Sequence, residues 1–473
     1  MKKDFFTGKK VLIMGLGRFG GGVDSAKFAH NAGANVTVTD LASAEQLAES
    51  LSELEEFEDI EYHLGSHAAS DFEKTDIVVV NPAVPAENDF LKIARKNNKF
   101  ITSQINIFFE LCPAQIIGIT GANGKSTTTA LTAHLLKGAS DERRATSDGT
   151  VWLSGNIGNE PLLTVTDRIT PDDLVVLELS SFQLEQLAQI KKSPNVALLT
   201  NLTPNHLDRY GTFDNYCAAK ENIFKFQKLD ENSPAVSIFN AEDEIGAEWF
   251  DRYSKDTGRT CLKFSPDDIS EEIRGWFSLP GRANLSNLAA AVCIARHFAV
   301  ADERIKAALP AFKPLPHRLE LVAEINGVSW YNDSKATTPE SAITAIEAFE
   351  KPVILIAGGY DKNLPFGQLG KIIAQNAKAA ILIGQTATKI AETITMSLRA
   401  KRSNLKSRVT SHGSRATKVQ VVDSLTEAVN LARQLAIAGD VVLLSPACAS
   451  YDMFDNFQQR GNEFTKLVQK INT

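Results

Sequence analysis

Short, nearly unbroken apolar runs alternate with amphipathic stretches along most of this chain. Lys9-Lys10-Val11-Leu12-Ile13-Met14 reads as a buried strand, and a helix follows through Ala32. Further strands are predicted from Asn35 to Thr39, ending at Asp40, and from Asp76 to Val80, ending in Asn81-Pro82-Ala83. Runs without polar alternation suit strands covered on both faces, and strands alternating with helices argue for a parallel sheet. A second block starts near Pro113. It holds strands from Asp173 to Leu179 and from Asn195 to Thr200, and a helix-rich stretch around Asn215 to Phe226. Leu279-Pro280-Gly281-Arg282-Ala283-Asn284 then leads into an alanine-rich helix, and Lys313-Pro314-Leu315-Pro316 reads as a linker. A third block has strands at Val328 to Tyr331, Val353 to Ala357, Ala380 to Ile383, Val419 to Val422 and Val441 to Leu444, with a last helix from about Phe457 to Lys470. Between Thr395 and Lys418 a Ser/Arg/Lys-rich stretch without acidic residues breaks the rhythm, and an exposed insertion is expected there. The pattern divides the chain into domains at 1–112, 113–312 and 313–473.

Composition narrows the class only a little. The 473 residues are 43% hydrophobic and 23% charged, with a net charge of −7, as in ordinary globular proteins. That balance gives no support for nucleic acid as a partner. No run approaches the length of a membrane helix, and five scattered cysteines without a C-x-x-C pair suit a reducing, cytoplasmic setting.

The chemistry lies at strand ends. Gly121-Ala122-Asn123-Gly124-Lys125-Ser126-Thr127 follows an apolar run and opens a helical pattern. Backbone N–H groups there converge on one point, the lysine neutralises phosphate and the serine hydroxyl holds Mg²⁺. A nucleoside triphosphate is expected. Gly15-Leu16-Gly17-Arg18-Phe19-Gly20 with Asp40 downstream matches a dinucleotide fingerprint, but another pyrophosphate ligand such as a nucleotide sugar uses the same helix start. A second nucleotide motif without a dehydrogenase-like pattern favours the non-redox ligand over NAD(P). Glu178, ending its strand beside the phosphate loop, stands where a Mg²⁺ ligand belongs, or caps the next helix. His206 follows the next strand and could bind a metal or phosphate, with Asp208 orienting it. Lys220 reads as an ordinary helix lysine. Asn332-Asp333-Ser334-Lys335-Ala336-Thr337, Gly358-Gly359-Tyr360-Asp361-Lys362 and Ser445-Pro446-Ala447-Cys448-Ala449-Ser450 each follow a third-block strand, which suggests a small anionic ligand.

Taken together, the phosphate loop, Asn201 to Arg209, His317-Arg318 with Asp333-Ser334-Lys335, and the segments Glu178 to Glu185, Leu444 to Ser450 and Asn456 to Gly461 resemble the Mur ligases. Within that family they are most similar to the D-glutamate-adding members. The resemblance implies three domains, Rossmann-like at both ends around a central P-loop ATPase-like domain. It implies ATP-dependent amide-bond formation between UDP-N-acetylmuramoyl-L-alanine and D-glutamate through an acyl phosphate, by a cytoplasmic monomer with no nucleic acid or membrane insertion. Lys125, Glu178, His206 and Lys220 are the implied catalytic residues. Ser126, Glu178, His206 and a carbamoylated Lys220 are the implied ligands of two Mg²⁺ ions. ATP falls to Gly121, Asn123, Gly124, Lys125, Ser126, Thr127, Asn287, Arg318 and Asp333. The UDP-substrate falls to Gly15, Leu16, Gly17, Asp40, Leu41, Asn81, Asn156 and His206, and D-glutamate to Lys335, Thr337, Lys362, Ser450, Tyr451 and Phe457. Substrates held by separate domains imply hinge closure, with the linker near Pro314 as the hinge. Two positions depart from the family. Asn81-Pro82-Ala83 stands where Ser-Pro-Gly is frequent, and Leu41 follows Asp40 where a hydroxyl or basic residue would help the nucleotide. A sibling ligase or a folylpolyglutamate-type synthetase adding another amino acid is the alternative, as are a non-catalytic nucleotide-binding scaffold and an NAD enzyme.

Overall fold

The computed structural model describes residues 1–18, 20–138, 149–157, 161–405 and 417–471. Phe19, Gly158 and 406–416 of the basic stretch lie outside the described residues. The chain forms two compact units, Met1–Ile273 with Ser286–Pro310, and Arg274–Leu285 with Ala311–Thr473.

The first unit holds two parallel sheets. In one, β1 (Lys10–Met14), β2 (Asn35–Asp40), β3 (Glu61–Leu64), β4 (Ile77–Val80) and β5 (Phe100–Thr102) lie in the order β3-β2-β1-β4-β5. In the other, β6 (Gln115–Thr120), β7 (Val151–Gly155), β8 (Leu174–Glu178), β9 (Val196–Leu199), β10 (Ala235–Asn240) and β11 (Arg259–Phe264) lie in the order β11-β10-β9-β6-β8-β7. Central strands such as β4, β8 and β9 are buried along their whole length, which explains their unbroken apolar runs. The strand order reverses beside β1 and again beside β6, so loops at the carboxyl ends splay apart there and leave crevices.

The second unit has one sheet. It comprises β12 (Glu320–Ile325), β13 (Val328–Asn332), β14 (Val353–Gly358), β15 (Ala377–Ile383), β16 (Lys418–Val421) and β17 (Val441–Leu444), in the order β12-β13-β17-β14-β15-β16. Apolar clusters fill both faces of this sheet. β12 pairs antiparallel with β13 and the other pairs are parallel. The sequence pattern misses β12, because its apolar run is only Leu321-Val322-Ala323, broken by Glu320 and Glu324. A second correction concerns the basic stretch. The helix Ala387–Leu405 covers its first part, and β16 begins at Lys418 where the stretch ends.

One buried carboxylate joins the two sheets of the first unit. Asp24, on the helix Gly21–Asn31, is 4% exposed. It accepts from Gln104 Nε2 at 2.6 Å, Leu163 N at 2.8 Å, Thr164 N at 3.0 Å and Thr164 Oγ1 at 2.9 Å. Asp24→Ala leaves these donors buried without an acceptor and should lower the stability of the first unit by about 2–4 kcal/mol. Thermal unfolding measures it, and an unchanged midpoint would show that the four bonds give no net stabilisation.

Candidate active site

At the first sheet's crevice, Gly15, Gly17 and Gly20 all have positive φ, and Gly20 caps the helix Gly21–Asn31. A Cβ on Gly15 would lie 2.8 Å from the Asn81 Cβ, so the two loops touch. Asn81 Nδ2 donates to Gly15 O at 3.3 Å, and Ala83 N donates back to Asn81 Oδ1 at 3.0 Å. The Asp40 carboxylate accepts from Gly17 N at 3.1 Å and Ala42 N at 2.8 Å, which fixes the turn shape. Leu16 is buried, whereas Leu41 is 68% exposed.

The second sheet gathers most of the predicted chemistry. Gly121 has φ near 145°, and a Cβ there would meet Thr200 Oγ1 at 2.0 Å. Gly124 caps the helix Lys125–Lys137 in the left-handed region, and a Cβ there would lie 2.2 Å from Asn287 Oδ1. Glycine is required at both positions. The β9 end braces the turn: Asn123 N donates to Asn201 Oδ1 at 2.9 Å, and Thr200 Oγ1 donates to Asn123 O at 2.7 Å. Lys125 Nζ reaches back to Ala122 O at 2.7 Å. Ser126 Oγ hydrogen-bonds Glu178 Oε2, and Asn156 Nδ2 donates to Glu178 Oε1 at 2.9 Å. Thr128 Oγ1 donates to Asn287 Oδ1 at 3.2 Å. Thr127, next in the helix, is half-buried.

Lys220 is no ordinary helix lysine. It is fully buried on the helix Phe213–Lys225, and its Nζ donates to Thr120 Oγ1 at 2.9 Å. Thr120 Oγ1 in turn donates to Leu179 O at 2.6 Å. Burial, and then the nearby Lys125 cation, hold the Lys220 amine well below the usual lysine range, while Glu178 acts in the opposite sense. His206 stands in a left-handed conformation, its ring 5.2 Å from Phe182 and 6.3 Å from Tyr216. Burial lowers its pKa, Lys220 lowers it further, and Asp208 opposes both. Among the described residues no three His, Cys, Asp or Glu side chains form a metal-binding group.

In the second unit, the loops after β13, β14 and β17 meet at one end of the sheet. Tyr360 bridges Ala449, and Gly358 N donates to Pro446 O at 2.8 Å. Lys335 Nζ lies 3.9 Å above the Phe457 ring, and Lys362 Nζ lies 5.9 Å from the Tyr451 ring. Ser450 is buried, and Thr337 is half-buried on the Lys335 loop. Beneath them Arg460, 1% exposed, donates to Ser334 Oγ, Ser334 O, Cys448 O and Ala449 O. Asp333 is buried beside Arg318, and accepts from Ser445 Oγ at 2.8 Å and Leu319 N at 3.2 Å.

Sequence reasoning missed Thr120, Asn201, Arg209 and Arg460. Thr120 and Asn201 flank recognised motifs at strand ends, and that placement was the available signal. Arg460 stood only as a letter in the Asn456–Gly461 segment, and its burial was unmarked, since an arginine inside a helix normally reaches solvent.

Three family profiles match the chain in order. They are the Mur ligase MurD-like N-terminal domain over residues 9–103, the Mur ligase middle domain over 119–276, and the Mur ligase glutamate ligase domain over 317–448. A UDP-N-acetylmuramoylalanine–D-glutamate ligase of Roseiflexus sp. (strain RS-1) is 39% identical, covering 98% of this chain and 99% of its own. The protein of that name from Acidobacterium capsulatum is 38% identical, covering 98% and 96%. Among solved structures, the UDP-N-acetylmuramate-alanine ligase MurC of Thermotoga maritima shares the fold. Its TM-score is 0.59 at 20% identity, over 98% of this chain and 100% of that one.

Burial raises the Asp333 carboxyl from the ordinary 3.8 to about 7, against weaker opposition from Ser445, Leu319 and Arg318. A raised carboxyl favours the folded protein fully below pH ~4, and that contribution is lost as pH rises through ~7. Wild type should therefore lose stability relative to Asp333→Asn between those limits, by at most about 4 kcal/mol. Chemical unfolding of both proteins at pH 4, 6 and 8 tests this, and parallel profiles would refute the shift.

Proposed function

The chain belongs to the Mur ligase family, and we propose that its crevices join D-glutamate to UDP-N-acetylmuramoyl-L-alanine in an ATP-driven reaction. It is an ATP-dependent amide-bond ligase of peptidoglycan precursor synthesis. The observation that carries the site reading is the convergence of Lys125, Ser126, Glu178, Asn156 and buried Lys220 around one glycine turn.

A free carboxylate is a poor electrophile, and its charge repels a triphosphate. The substrate carboxylate attacks the γ-phosphorus of ATP, ADP departs, and an acyl phosphate remains. The D-glutamate amine then attacks the activated carbonyl, loses its proton, and phosphate leaves. Lys125 and the N–H groups of Gly124 to Ser126 hold the phosphates, and charge neutralisation is the main catalytic effect. Gly15, Leu16, Gly17, Asp40, Leu41 and Asn81 bind the UDP end of the substrate. Asn156 and His206 lie along its sugar and peptide. Asn287, Arg318 and Asp333 contact ATP. Lys335, Thr337, Lys362, Ser450, Tyr451 and Phe457 hold D-glutamate, the two lysines acting as point charges for its carboxylates.

Oxygen donors from Ser126 and Glu178 suit Mg²⁺, which supplies positive charge to the transferring phosphoryl group when bound. A second Mg²⁺ position falls to His206 and Lys220, and its donor set is complete only if Lys220 carries a carbamate. The neutral, buried amine is the form that adds CO₂. The domain division at 1–112, 113–312 and 313–473, the cytoplasmic setting and a monomeric state belong to the same proposal. The cysteines, all unpaired, are consistent with that setting.

Phosphate release with ATP, Mg²⁺ and UDP-N-acetylmuramoyl-L-alanine should require D-glutamate, and the product should gain one glutamyl unit by mass. Release with L-glutamate, L-alanine or diaminopimelate instead would move the substrate assignment. Lys220→Ala should lose at least about 100-fold in kcat and recover partly with added short carboxylates. Near-normal turnover without them would remove the carbamate.

A further inference from the structure

Arg209 has no role in the mechanism above, yet its guanidinium joins three segments of the first unit. It sits on the short helix Leu207–Tyr210, three residues after His206. Nη1 donates to Pro82 O at 3.2 Å and Ala83 O at 3.3 Å, in the turn that follows β4. Nη2 donates to Glu185 Oε2 at 3.2 Å, where the Tyr210 hydroxyl also donates at 3.2 Å. The guanidinium carbon lies 3.9 Å from the centre of the Phe182 ring, and that ring is the one packed on His206. The side chain is 22% exposed, so these contacts are partly shielded from water.

We infer that Arg209 is a positioning residue for the nucleotide-sugar substrate, setting the Asn81–Ala83 turn against the His206 loop. Asn81 faces Gly15 on one side of the turn, while the carbonyls of Pro82 and Ala83 are turned to Arg209 on the other. The turn is therefore held by bonds from Asn81 to Gly15 and from Arg209 to Pro82 and Ala83. A planar fork serves two carbonyls and a carboxylate while its carbon sits over a ring. A lysine keeps the charge but not that geometry. Because the same ring supports His206, the two ends of the substrate path share one anchor.

The inference rests on the nucleotide-sugar reading of the first crevice. Full-length wild type, Arg209→Ala and Arg209→Lys are compared by steady-state kinetics in all three substrates, with calorimetric binding of UDP-N-acetylmuramoyl-L-alanine. Arg209→Ala should raise the KM and Kd for that substrate about ten-fold or more, the loss of a charge-assisted bond set. The KM values for ATP and D-glutamate should stay within about two-fold, and Arg209→Lys should fall between wild type and alanine. An unchanged KM for the nucleotide sugar overturns the inference. So does an equal shift of all three KM values with a lowered melting point, which marks a merely structural residue. If Arg209→Ala does not fold, Arg209→Lys carries the same comparison. Failure of wild type to bind the nucleotide sugar would instead sink the substrate reading itself.

Discussion

Burial beside a fixed cation pushes an amine toward giving up its proton. Lys220 is enclosed on a helix behind the β6 strand, near Lys125 and with Glu178 as the opposing charge. An ammonium there would lose its hydration and face a second ammonium, which costs several kcal/mol. Losing the proton relieves both costs, and the amine donates to Thr120 Oγ1 in either form. Much of the second sheet's carboxyl end follows from this. Lys125 remains the cation of the turn, Glu178 is committed to Ser126 and Asn156, and His206, under the same positive field, is also held toward neutrality. Burial and the Lys125 cation push both Lys220 and His206 toward their neutral forms.

The second unit treats charge differently. Lys335 and Lys362 are exposed over aromatic rings, while Arg460 is buried among carbonyl and hydroxyl oxygens. Neutral oxygens solvate a guanidinium but leave its charge uncancelled. The loops bearing Lys335 and Ser450 thus share a positive foundation, favourable for an incoming dicarboxylate. Asp333 shows the reverse effect, since a carboxyl buried nearby resists ionisation.

The strongly periodic parts of the fold were readable from sequence. Fully buried strands such as Ile77–Val80 and Val353–Gly358 leave apolar runs, and a glycine turn that admits no Cβ leaves its glycines. Edge strand β12 was not readable, because Glu320 and Glu324 cut its apolar run to three residues. The helical character of Thr395 to Leu405 was hidden by its charge, although Arg, Lys and Leu are good helix formers. Lys220 was legible only through the family resemblance. Its burial depends on which helix face meets β6, and no local spacing records that. Arg209 was visible as a letter in a motif, but its partners lie more than a hundred residues away in the Pro82–Ala83 turn.

Asp24 has a consequence for how such a chain can be assembled from parts. Its carboxylate belongs to the first sheet's flank, and three of its four donors come from Leu163 and Thr164, beyond the start of the second sheet. A chimera cut near residue 112 would take the acceptor from one parent and those donors from another. Unless both parents keep the same carboxylate and the same loop register, the splice buries unmatched polar atoms. The first two sheets are therefore inherited as a pair, and exchange between relatives by recombination is penalised at the boundary where the sequence looks most divisible.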